Sequence, residues 1–410
     1  MSLVCESNKS MFDPNTRLTE ISELILSFLD SVSLASFSLT NWEWRIQIKN
    51  MFSVGAPKIY FIKVAIENGY LGLVKWAYKN NYNRISICRY AAKYGHLDIL
   101  IWARENDLDW FEDVCVEAAL NGHFDILKWA HENGCEWNHW TCTYAAKGGH
   151  FDILKWAHIN GCEVTEQASL YAAKEGHLNI FQWLCENKHM LHTDICAQAA
   201  RGGHFEILKL ARLNGVPWDS STCSSAALGG HLEILKWARE NQCQWSSGTC
   251  SNAAAGGHLE ILIWARQNGC AWDSLTCQDA AYSGHLDILK WARLNGCAWT
   301  ERTCCEAAKM GHLNVLQWAR ENGCPWDYNV CHYAASRGHL NILIWARQNG
   351  CEWNENTCNH AAYEGRLDII KWLRSNGCPW NSQLYRNARH GRYLNNYEII
   401  KWAIENGCPE

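Results

Sequence analysis

Cys270-Ala-Trp-Asp-Ser-Leu-Thr-Cys277-Gln-Asp-Ala-Ala-Tyr-Ser-Gly284-His285-Leu-Asp-Ile-Leu-Lys-Trp291-Ala-Arg-Leu-Asn-Gly296 is one unit of a sequence that repeats along most of the chain. The glycine of its Gly-His pair returns at 95, 122, 149, 176, 203, 230, 257, 284, 311, 338 and 365, always 27 residues apart. A fixed period of this size is the signature of a solenoid, in which each unit buries its apolar face against its neighbours. A degenerate unit around Gly69 precedes the regular run. Another follows around Gly391, with an insertion at Tyr393 to Tyr397. The total is about thirteen units.

Each unit carries two short helical patterns. The first runs through Thr276-Cys277-Gln-Asp-Ala280-Ala281, where paired alanines favour helix and let another helix approach closely. Thr276 is the expected N-cap, with Cys277 opening the helix. The second runs from His285 to Leu294, with Leu286, Ile288, Leu289 and Ala292 on one face and Lys290 and Arg293 left for solvent. Asn295-Gly296 has the character of a C-terminal cap. Neither helix is long enough to be stable alone, so the chain is expected to form one continuous stack.

The Ala-Ala-x-x-Gly-His-Leu-Asp/Glu-Ile-Leu core, present for instance from Ala253 to Leu262, resembles the ankyrin repeat. The likeness extends over about residues 58 to 408. The usual ankyrin unit is about 33 residues long, and the missing length falls in one place. From Gly269 to Ala280 the chain takes 11 residues, where the family has about 17, in the segment that forms the projecting β-hairpin of ordinary ankyrin repeats. The expected fold class is therefore all-α, a helical solenoid of ankyrin-like helix pairs lacking long β-hairpins. Cys replaces the family's Leu at Cys250 and Cys277, and Trp replaces the first of its paired leucines at Trp264 and Trp291, with Ala beside it to conserve packed volume.

A net charge of −5, with acidic and basic residues mixed along the repeats, argues against nucleic acid or an anionic membrane as partner. No apolar run reaches the length of a membrane span, and Met1 to Asn15 lacks the basic start and apolar centre of a signal peptide. A cytoplasmic protein is expected. Of the 22 cysteines, nine follow the closing glycine of a unit and ten lie at the start of its first helix; Cys5, Cys185 and Cys305 fall outside both registers. Equivalent cysteines of adjacent units stand about 8–10 Å apart, too far for a disulfide. Reduced, buried thiols are expected, with a Cys270 to Cys277 bridge within the unit left open. The Gly-His histidine, in ankyrin repeats, hydrogen-bonds the loop beside it. No zinc-ligand spacing and no phosphate loop appears, and Cys, His and Asp recur identically in many units rather than forming one singular constellation. No metal, no cofactor and no enzymatic activity are expected.

Residues 1 to 16 are polar and read as a tail. Residues 17 to 50 lie outside the repeat register and suggest three small helices. Their apolar positions, Leu18, Ile21, Leu24, Ile25, Phe28, Leu29, Leu34, Phe37 and Trp44, resemble the F-box. Thr19 stands where that family usually has Pro, and Thr40-Asn41 replaces its common Val-Cys. The F-box resemblance implies docking on the adaptor of a cullin-based ubiquitin ligase. The other reading of the same residues is a cap on the open end of the stack.

The repeat solenoid is expected over residues 51 to 410. From Val164 to Pro217 they are irregular, with Val164, Ser169, His189, Leu191, Leu210 and Val216 where Trp or Cys stand elsewhere. That stretch suggests drift, a bend or a contact site. Positions that vary at constant register carry most information about partners. Around the Ala-Ala pair these are Tyr90, Tyr94, Tyr144, Tyr171, Arg201, Tyr282, His332, Tyr333, Arg337, His360 and Tyr363, of types common in protein-binding hot spots and on the helix expected to line the concave face. The chain thus reads as a monomeric protein-binding protein, a substrate receptor for a cullin-based ligase; the alternative is a non-catalytic ankyrin-type scaffold without a ubiquitin link. The pairing of an F-box-like segment with Cys- and Trp-rich ankyrin-like arrays resembles proteins encoded by large DNA viruses of amoebae and by some protists, which implies action in a host cytoplasm.

Overall fold

The computed structural model describes residues 58–79, 86–391 and 397–409; the F-box-like positions Leu18 to Trp44 lie outside the described residues. The described chain forms 26 α-helices, from Lys58–Glu67 to Tyr397–Glu405, and no strand. They alternate as the first and second helices of successive units, so the expected all-helical solenoid without β-hairpins is what forms.

In the unit quoted above, the first helix spans Ser274–Ser283 and the second Leu286–Leu294. The N-cap is Asp273 and not Thr276. Asp273 has extended backbone, and its Oδ1 accepts the Leu275 amide at 2.9 Å, the geometry that satisfies an orphan amide of the first turn. Thr276 and Cys277 sit inside the helix, fully buried. Gly284 ends the first helix at φ +80, and the His285 amide donates to the Ala280 carbonyl at 2.9 Å. The left-handed turn that only glycine adopts freely is thus what lets the chain reverse between the two helices.

The alanine pairs let first helices of neighbouring units run in contact throughout the rod, whereas second helices, thick with Leu, Ile and Trp, meet their neighbours over few residues. Closer approach on one side puts the first helices on the inside of the curve.

The Gly-His histidine couples units rather than closing its own loop. Nine of these side chains, from His96 to His339, place Nε2 3.0–3.2 Å from a carbonyl in the last turn of the preceding unit's first helix. A carbonyl can only accept, so Nε2–H donates to a group the helix end leaves unpaired.

The cysteines also find their reason within the unit. Cys297, after the closing glycine, donates its thiol to the Asp273 carbonyl at 3.3 Å and so ties the end of the second helix to the start of the first. Its sulfur accepts from the Cys277 thiol, which raises the Cys277 pKa and lowers that of Cys297. The thiol neighbours are therefore 20 residues apart, Cys277 with Cys297 and not Cys270 with Cys277, because the unit's second helix returns the chain to the start of its first, where Cys277 lies. All 21 described cysteines are free, and all but Cys185 are buried.

Candidate protein-binding face

Tryptophan accounts for much of the edge opposite the first helices. Trp272 meets Trp291 edge-on at 5.8 Å, and Arg266 of the preceding unit lies 4.3 Å over the Trp272 ring. The same arrangement recurs at Trp218–Trp237, Trp245–Trp264, Trp299–Trp318, Trp326–Trp345 and Trp353–Trp372. Stacked guanidinium and indole supply packing and cation–π attraction together, a structural use of both residues. The irregular stretch breaks this ladder. Leu191 and Leu210 replace one tryptophan pair, Cys185 replaces the stacking arginine, and a cavity of about 370 Å³ opens beside Cys185, His189 and Leu191.

The variable residues of the first helices gather in two patches on the inner face. In the N-terminal patch, Tyr90 stacks on Tyr94 at 6.2 Å and Tyr144 on Tyr171 at 6.3 Å, with Lys147 Nζ 5.3 Å from each of the latter rings. In the C-terminal patch, Lys309 bridges Tyr282 and Tyr333 at 5.7 Å each and pairs with Glu306 at 3.0 Å. His332 meets His360 with ring centroids 4.1 Å apart. Burial, reinforced by the neighbouring His360, pushes the His332 pKa down to about 4. Arg201, Arg337 and Tyr363 are exposed. Between the patches the same register holds Ser224, Ser225, Ser251 and Asn252, and Asn252 donates to the Ser224 carbonyl at 3.2 Å.

Two residues at this face do not follow from reading the first-helix positions. Phe111 is 65 % exposed and Trp140 is 39 % exposed. With Glu112, Asp113, Val116, Asn138 and Tyr144 they line an open groove of about 560 Å³. Arg89 reaches the lining residue Asp113 from the preceding unit, its Nη2 2.7 Å from Glu117 and its Nε 3.7 Å from Asp113. Asp113 Oδ1 is buried without a hydrogen-bond partner, and burial raises the Asp113 pKa.

Among the described residues no three His, Cys, Asp or Glu side chains converge as a metal site, and no helix is long and apolar enough to cross a membrane. What the inner face presents is aromatic rings, a few charges and a continuous backbone platform.

The geometry is that of a helical repeat protein built from 27-residue helix pairs. Two segments match ankyrin-repeat family models: residues 115–196 match the model for three copies and residues 304–347 the model for many copies. Ankyrin repeats are protein–protein interaction modules. A crystal structure of the human ASB11 ankyrin repeat domain is similar at 17% identity and a TM-score of 0.32, over 38% of this chain and 84% of that one. No curated protein matches the chain.

Proposed function

We propose that the protein is a substrate receptor that brings a target protein to a cullin-based ubiquitin ligase. What supports this reading is the order of two sequence segments along one chain. The F-box-like apolar set Leu18 to Trp44 precedes a rod whose inner face displays tyrosine, arginine and histidine at the positions the fold leaves free. The mechanism is proximity: a rigid rod holding the adaptor at one end and the target along its face raises the local concentration of target near the ligase, without chemistry of its own. Action in the cytoplasm, in a host cell for a viral protein, accords with this.

The test is a pull-down from eukaryotic cytosol with residues 1–410 and with residues 51–410, probed for the ligase adaptor and cullin. Retention by the longer chain only supports the receptor. If neither folded chain retains them, the rod is a binding scaffold and residues 17–50 cap its end.

A further inference from the structure

The groove at Phe111 and Trp140 is built from residues that the repeat itself does not call for. Position 111 is the register equivalent of the N-cap residue in other units, one residue before Glu112, the N-cap of its own first helix. Its counterparts are Asn138, Thr165, His192, Asp219, Ser246, Asp273, Thr300, Asp327, Asn354 and Asn381, all polar. Seven of these ten accept a hydrogen bond from the amide two residues on. Phe111 makes none, and the helix that begins at Asp113 has no side-chain cap. Position 140 is mostly polar in the other units, with Asp113, Gln167, Asp194, Ser221, Arg302, Asn329, Asn356 and Gln383 beside Gly248 and one exposed Leu275, and Trp140 is the one aromatic residue in the register. Trp140 lies 5.8 Å from Tyr144. Two adjacent units thus place large exposed aromatic rings on one groove, at positions that are polar in most other units.

The charge of the groove names its occupant. Arg89 is committed to Glu117 by two hydrogen bonds, of 2.7 and 3.0 Å, which leaves Asp113 weakly paired at 3.7 Å and Glu112 exposed. Carboxylates beside indole and phenol faces attract a cation that can lie on a ring and pair with an acid at once. We propose that this groove receives a lysine or arginine side chain, with an adjacent apolar side chain on Phe111 and Val116, from a linear segment of the target protein. This inference rests on the protein-binding reading of the inner face and locates its anchor.

The test is selection of random linear heptapeptides displayed on phage against the full chain, followed by Kd measurement with the synthetic peptides. The substitutions are Phe111→Asn and Trp140→Ser, each the residue type found at the same slot of another unit, so folding is preserved and is checked by thermal unfolding. The expected result is enrichment of peptides with Lys or Arg next to an apolar residue, a loss of about tenfold or more in affinity on either variant, and a similar loss when the peptide's basic residue becomes Gln. Absence of enrichment, peptides lacking a basic residue, or equal affinity for the variants overturns the groove. Peptides indifferent to Phe111→Asn but weakened by Tyr333→Ala overturn the groove and leave the inner-face reading intact. Peptides indifferent to all three substitutions count against both.

Discussion

The imidazole of His312 donates Nε2–H to the carbonyl of Tyr282 across 3.1 Å, one unit earlier in the chain. The same ring sits against Gly284, where a Cβ would lie 2.7 Å from His312 Cε1. Gly and His of the recurring pair therefore serve different contacts. The glycine of one unit leaves room for the histidine of the next, and the histidine caps the helix that the glycine ends. The repeat period is enforced by this interlock, because a unit one residue longer or shorter would present the ring to the wrong carbonyl.

Replacing His312 by Ala removes an inter-unit hydrogen bond and leaves the Tyr282 carbonyl to water. Urea unfolding should show a loss of about 1 kcal/mol. An unchanged midpoint would mean that the apolar contacts between first helices alone couple the units.

Gly284 and Gly296 share the left-handed backbone, at φ +80 and +84, but only Gly284 faces a neighbouring ring; nothing stands within 4 Å of a Cβ at Gly296. Gly296→Ala should cost about 1–2 kcal/mol from backbone strain alone. Gly284→Ala should cost more, since the His312 ring must also move. Equal losses in thermal unfolding would argue that the ring shifts freely.

Phe111→Asn restores the residue type that caps the equivalent helices at Asn138, Asn354 and Asn381. A gain of about 1 kcal/mol in unfolding free energy is expected. A loss would show that Phe111 packs as part of the fold and is not held for a partner.

His332 is held neutral by burial beside His360, with a folded pKa of about 4 against about 6.5 when unfolded. Between these values the unfolded chain binds the extra proton, so the stability that comes from the neutral ring is complete above about pH 6.5 and is lost as pH falls toward 4. Comparing melting temperatures with His332→Asn, the side chain found at position 359, isolates this group from other titrations. The wild type should lose ground against the variant as pH is lowered. A pH-independent difference would contradict it.

The 27-residue period, the two helices and the absence of a hairpin were legible because every unit restates them, and the Ala-Ala pair and Gly-His pair each have one geometric solution. The cap was misplaced onto Thr276 because threonine and aspartate both cap helices, and only the backbone shows that the extended residue is Asp273. Cys277 and Cys297 meet through a helix turn and a loop that sequence spacing does not measure. The inner-face tyrosines stood out as variation at constant register. Phe111 and Trp140 carry the same signal earlier in the unit, at the register of the N-cap and two residues past it, where a side chain reads as loop composition until the capping geometry is known.

The claim that the first-helix face binds the target is tested most directly by photo-crosslinking in eukaryotic cytosol. A photoreactive phenylalanine analogue is placed at Tyr144 or Tyr333 on the inner face, or at Gln267, an exposed residue of the second helix Leu259–Gln267. Discrete protein adducts are expected from positions 144 and 333 and none from 267. Adducts from position 267 alone would place the partner on the outer face and contradict it.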